Sequence, residues 1–107
     1  MLGSGAVVII DDSNDMVDLL EVIAHFYHHE SCGQCTPCRE GTGWLHKIIK
    51  RIANGEGRIQ DIDLALKVAD NMKGKTICAL SDAAALPVIS FINKFRNEFE
   101  SLSLIHI

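Results

Sequence analysis

Residues 32–38 read Cys32-Gly33-Gln34-Cys35-Thr36-Pro37-Cys38: three cysteines at every third position, with a proline ahead of the last. The fourth cysteine of the chain, Cys78, stands far downstream in Lys75-Thr76-Ile77-Cys78-Ala79-Leu80. The sequence on either side of both segments has helical periodicity, so the cysteines mark joints between helices.

Upstream, a helix pattern opens at Ser13 or Asn14, both acceptable N-caps, and runs to about His29. Met16, Leu19, Leu20, Val22, Ile23, Phe26 and Tyr27 supply its apolar face at spacings of three and four. Downstream of the thiols a second helix is expected from Thr42, with Trp44, Leu45, Ile48, Ile49 and Ile52 as its stripe and Gly55 and Gly57 as its stop. Trp44 reads as a core anchor. A third helix spans about Gln60 to Met72 through Ile62, Ala65, Leu66 and Ala69, and Gly74 ends it. Asp82 can cap a fourth stretch, which Pro87 is expected to divide into a short turn and a longer helix to Glu100. Val88, Phe91, Ile92, Phe95 and Phe99 form that last stripe. Short joints between four amphipathic helices predict an all-α four-helix bundle.

The N-terminal end reads differently. Ala6-Val7-Val8-Ile9-Ile10 follows Gly3-Ser4-Gly5 and precedes Asp11-Asp12, the composition of a buried strand bounded by turns. A lone strand has no neighbours in this sequence, so residues 1–12 are expected to be the last strand of a preceding domain. The organisation predicted is therefore a terminal strand at 1–12, a helical bundle at 13–100 and an atypical apolar tail at 101–107. Position 8 is Val, so the Gly-x-Gly does not extend to a dinucleotide-binding fingerprint.

Composition excludes several classes. The chain has 107 residues and a formal net charge of −4 without a basic block, which gives no electrostatic footprint for nucleic acid. The longest apolar run is far shorter than the roughly 20 residues that span a bilayer, so no direct membrane insertion is expected. No basic segment precedes that run, which argues against a signal peptide and for a reducing compartment. Four cysteines there favour metal ligation over disulfides.

Thiolates three positions apart can wrap one turn around a metal centre. Zinc usually takes two separate Cys-x-x-Cys pairs, whereas three ligands in one loop and one remote is a common division for a cubane iron–sulfur cluster, one cysteine per iron. The bacterial ferredoxin run shares this spacing but adds a fourth cysteine; here that position is Thr42. Cys32, Cys35, Cys38 and Cys78 are thus candidate ligands of one cluster. A four-thiolate structural zinc site remains open. So does thiol–disulfide exchange at Cys35-Thr36-Pro37-Cys38, although the βαβ setting of that motif is missing. Gly33 and Gly41 would let the backbone pass close to an inorganic core, and N–H groups near Thr42-Gly43 would face it. Arg39 would add positive charge or pair with Glu40. His25, His28 and His29 read as surface or packing residues.

The segment Glu30-Ser31-Cys32-Gly33-Gln34-Cys35-Thr36-Pro37-Cys38-Arg39-Glu40-Gly41-Thr42-Gly43-Trp44, with Thr76-Ile77-Cys78-Ala79-Leu80 and Asp82-Ala83-Ala84-Ala85, closely resembles the NADH- and FMN-binding flavoprotein subunit of respiratory complex I, an NADH:quinone oxidoreductase. The resemblance covers about residues 3–100. It implies a C-terminal helical bundle whose [4Fe–4S] cluster is ligated by Cys32, Cys35, Cys38 and Cys78, and no catalytic residue. Gly5–Ile10 would then be the end of a β-grasp domain. The cluster would relay electrons from NADH-reduced FMN towards quinone. The implied partners are a small thioredoxin-like [2Fe–2S] subunit and a large iron–sulfur subunit. The implied location is peripheral, on the cytoplasmic side of a bacterial inner membrane or the matrix side of a mitochondrial one. The glycine-rich FMN and NADH domain of the family is absent here, so this chain is expected to bind neither. Equivalent modules occur in NAD-linked hydrogenases and formate dehydrogenases, and a zinc-stapled helical interaction module is the alternative outside the family. Ser81 stands where the family usually has Gly, and Leu86 where Trp is common; neither is a ligand position.

Overall fold

The structure, a computed structural model, describes residues 7–104. It contains four helices: α1 (Met16–Glu30), α2 (Thr36–Ala53), α3 (Ile59–Met72) and α4 (Leu80–Leu104). The all-α expectation holds among the described residues; the expected strand does not. Val7–Ile10 have no ladder, and Val7, Val8 and Ile9 are 86%, 75% and 95% exposed. A β-branched apolar run sets a preference for burial, but a strand exists only through hydrogen bonds to a neighbour, and no described segment offers one. The reading of residues 1–12 as a β-grasp remnant is corrected accordingly; residues 1–6 lie outside the described residues. At the other end, α4 continues into the segment read as a tail, and residues 105–107 also lie outside the described residues.

Local chemistry sets the helix ends. Asp15, not Ser13 or Asn14, caps α1 by accepting from Val17 N–H at 2.9 Å. Ser13 N–H and the Asn14 side chain instead donate to Asp11 at 3.1 and 2.9 Å, a turn that aims the chain into the helix. That hydrogen bonding, led by the Ser13 hydroxyl, holds the Asp11 carboxyl below its ordinary value. α2 begins six residues earlier than the apolar stripe indicates, at Thr36 rather than Thr42, with Pro37 in its first turn, where a missing N–H costs nothing. Asp61 joins α3 to α2: its carboxylate accepts from Arg58 N–H and from the Arg51 guanidinium, both at 2.9 Å. Pro87 does not break α4; the departure from helical geometry falls at Phe95, with φ −118° and ψ 31°.

Packing follows from the stripes. Val17 and Leu20 of α1, Leu45, Ile48, Ile49 and Ile52 of α2, Ile62, Ala65, Ala69 and Met72 of α3, and Ala84, Ala85, Val88, Ile92 and Phe99 of α4 make one core. α1 and α3 each pack on both α2 and α4 and not on each other. Trp44 is not in this core; it is 54% exposed and lines a surface groove with Leu64 and Val68. Among the described residues no helix is long and apolar enough to cross a membrane.

The consequence for the site is topological. Short joints make successive helices antiparallel neighbours, so the chain runs up, down, up and down. The α1–α2 joint and the α3–α4 joint then fall at the same end of the bundle, and the α2–α3 joint at the other. The four cysteines lie in or beside the two joints that share an end.

Candidate metal centre

The thiol loop is fixed at both ends by helices. Ser31 closes α1, its N–H donating to the Tyr27 carbonyl at 3.1 Å. Gly33 takes φ +83°, a left-handed conformation that turns the chain between Cys32 and Cys35 and that a side chain would strain. Cys35 is the N-cap of α2, and Arg39 N–H donates to its carbonyl at 2.8 Å. Cys38 therefore sits in the first turn of the helix rather than in a loop. The three thiols grade from outside to inside: Cys32 is exposed, Cys35 half-buried and Cys38 buried.

Arg39 locks the loop. Its guanidinium donates to the Gly33 carbonyl at 3.0 Å and to the Thr36 hydroxyl at 3.4 Å, and pairs with Glu40 at 3.2 Å. One side chain thus both places positive charge on the loop and partners Glu40. α2 presents the positive end of its dipole to this loop, and no acidic residue occupies its first turn. The donors at this helix start belong to residues 36–38, not to Thr42-Gly43, which are buried one turn further on. Gly41 is also reassigned: a Cβ there would meet Met72 Cγ and Sδ at 2.7 Å, so the missing side chain admits α3 rather than an inorganic core.

Cys78 lies exposed in the α3–α4 joint, where its carbonyl accepts from the Thr76 hydroxyl at 2.8 Å. The neighbouring Ile77 N–H points across to Cys35 Sγ at 3.5 Å, linking segments 42 positions apart. On the same joint, Gly74 N–H donates to Asp82 at 2.8 Å and the buried Ser81 hydroxyl donates to the Met72 carbonyl at 3.2 Å. Asp82 therefore braces the joint rather than capping α4, and Ser81 has a hydrogen-bonding role that glycine would lack.

All four cysteines are free thiols. Among the described residues no three His, Cys, Asp or Glu side chains converge as donors to one metal ion. A single zinc needs its thiolates about 2.3 Å from one point, whereas a cubane takes each cysteine at a separate iron. The donor set suits the larger group: four soft thiols on two facing joints, one buried, one half-buried and two exposed. His25 and His28 stand apart from this set. They flank the His46 ring, at 4.8 and 6.2 Å between centroids, and His46 meets Glu21 at 2.8 Å. His29 faces Glu30 at 3.6 Å.

Two contacts to sulfur are not foreseen by the sequence reading. Ser31 Oγ lies 3.3 Å from Cys38 Sγ, and the Ile77 N–H reaches Cys35. Adjacency of Ser31 to Cys32 is the sequence signal that could have found the first. The second depends on two joints meeting and leaves no local signal.

Residues 18–102 match the family model described as the NADH-ubiquinone oxidoreductase-F iron-sulfur binding region. The chain is 48% identical over 100 residues to the NADH-quinone oxidoreductase F subunit of Rickettsia bellii (strain OSU 85-389), covering 94% of this chain and 24% of that protein. It is 46% identical over 99 residues to the counterpart from Rhizobium meliloti (strain 1021), covering 92% and 23% respectively. Among solved structures, an NAD+-reducing [NiFe]-hydrogenase in the air-oxidised state superposes with a TM-score of 0.82 at 33% identity, over 87% of this chain and 16% of that one. The chain thus spans about a quarter of the length of these curated relatives.

Proposed function

The chain belongs to the family of the NADH-ubiquinone oxidoreductase-F iron-sulfur binding region, and on that premise we propose that residues 13–100 are an electron-relay bundle holding one [4Fe–4S] cluster through Cys32, Cys35, Cys38 and Cys78. The observation that carries this reading is the meeting of the two joints, in which Ile77 N–H reaches Cys35 Sγ. Without it, three thiols in one loop would lack the fourth corner a cubane needs. When bound, such a cluster takes up and gives out single electrons and makes no bond to a substrate.

The chain's own residues supply position, charge and shielding. Arg39 and Gly33 fix the loop, and the N-terminal end of α2 favours the negative sulfurs. Cys38 faces the bundle interior while Cys32 and Cys78 face outward, which leaves one edge open for electron exchange with a partner. In the whole protein the electrons are proposed to come from NADH-reduced FMN and to pass towards quinone. FMN and NAD are assigned to the parts of the relatives that this chain does not span. The proposed partners are a thioredoxin-like [2Fe–2S] subunit and a large iron–sulfur subunit, in an arm peripheral to the membrane. The 48% identity to a quinone oxidoreductase subunit against 33% to a hydrogenase supports this assignment over the equivalent hydrogenase module.

Metal analysis tests the proposal. Anaerobically purified protein is expected to carry iron and acid-labile sulfide in equal amounts, with an EPR signal that appears on reduction. Zinc without sulfide would refute it.

A further inference from the structure

Ser31 is a hydroxyl placed against a ligand sulfur. Its Oγ lies 3.3 Å from Cys38 Sγ, and Gly33 N–H donates to the same oxygen at 3.4 Å. That second contact uses the oxygen as an acceptor and leaves the hydroxyl proton free to point elsewhere. The direction across the Ser31–Cys38 contact then follows from ligand chemistry. A cysteine bound to metal is a thiolate and has no proton to give, so the serine must be the donor.

Geometry makes the contact a fixed one. Ser31 is held by the last turn of α1 and Cys38 by the first turn of α2, so two packed helix ends set the separation. Cys38 is the buried cysteine of the four, 7% exposed, and in this half-buried contact a hydrogen bond acts more strongly on charge than one at the surface. The Ile77 N–H donor to Cys35 is longer, at 3.5 Å, and lies in an exposed joint.

We propose that Ser31 is a positioning residue that raises the reduction potential of the bound cluster by donating its hydroxyl proton to Cys38 Sγ. The inference rests on the cluster assignment above. Reduction adds negative charge that is shared with the ligand sulfurs, and a donor aimed at one of them stabilises the reduced form more than the oxidised form. Removing the donor therefore lowers the potential without removing a ligand.

The test is redox potentiometry, followed by EPR, on the cluster-loaded full chain and its variants. Iron and sulfide are measured first; a wild-type chain without them overturns the cluster assignment itself. Given loading, Ser31→Ala is expected to shift the reduction equilibrium about tenfold towards the oxidised form, about 59 mV lower for one electron. Ser31→Thr, which keeps the hydroxyl, is expected to stay near wild type. An unchanged potential in Ser31→Ala at full iron content overturns the inference. Should Ser31→Ala fail to load, the isosteric pair Ser31→Thr and Ser31→Val decides. Iron retained by Thr and lost by Val supports a donor at the ligand, and equal behaviour of the two refutes it.

Discussion

Cys78 is the residue on which the assignment is most exposed to test, because it is the only ligand candidate outside the thiol loop. Cys78→Ser removes a soft thiolate and leaves a hydroxyl that remains protonated at neutral pH. Retained iron is expected to fall by at least about tenfold, since even the loss of an outer partner of a ligand costs that much affinity. Cys78 is exposed, so the folded core should persist, and the variant's iron-free form should melt like iron-free wild type. Iron and sulfide assays with thermal melts check both halves; full iron content in Cys78→Ser sinks the fourth-ligand assignment. The candidate ligands are legible in sequence because cysteine is rare and its spacing is read directly. Trp44 is not, because it sits one position from the buried Leu45 and a turn before the buried Ile48, so spacing places it on the stripe. A residue at the margin of a stripe is assigned by what packs against it. Here that is a groove edge formed by Leu64 and Val68 on another helix.

Among elements, the α2–α3 contact gives a prediction in which two effects compete. Gly41→Ala gains helix propensity worth about 1 kcal/mol. Against this, the new Cβ would sit 2.7 Å from Cγ and Sδ of Met72, which is buried. Overpacking of this kind costs roughly 1–3 kcal/mol, softened by the flexibility of methionine. The steric cost wins, and a net loss of about 1 kcal/mol is expected in denaturant unfolding. Met72→Ala should cost less in the Gly41→Ala background than alone, a coupling that a double-mutant cycle reads directly. Additive effects would show that the two helices do not meet at this pair. The same helix shows why element boundaries are only partly legible. The apolar stripe of α2 starts at Leu45, but its first turns carry cysteines and small residues that have no stripe to read. Pro37 is the available sign of an N-terminus. Pro87 misleads in the opposite direction: Ala84, Ala85 and Val88 around it are buried, and that packing holds the helix through a residue that would end an isolated one. The N-terminal run misleads for a third reason, since Val7–Ile9 have strand composition but no partner strand among the described residues.

At the scale of the whole molecule, helix count and order decide where the site lies. Four helices joined by short connections bring alternate joints to one end, and this is how the loop after α1 meets the loop after α3, where Ile77 N–H reaches Cys35 Sγ. The core does not depend on that meeting: apart from Cys38, the buried apolar residues are the helix stripes. A cluster across the two joints then acts as a cross-link closing the long segment between Cys38 and Cys78. By analogy with a disulfide, a loop of that length loses about 3–5 kcal/mol of unfolded-state freedom when closed. For a domain of this size each kcal/mol moves the melting temperature by about 4–8 °C. Removing iron with a chelator under reducing conditions is therefore expected to leave the helical circular dichroism in place and to lower Tm by roughly 12–40 °C. Amide exchange should accelerate first at residues 31–38 and 73–79, where the joints lose their common anchor, while the buried centre of α2 around Ile48 and Ile49 stays protected. If Tm and joint exchange were unchanged after the iron had gone, the cysteines would not be bridging the two joints. The site would then have to be read as three thiols in one loop.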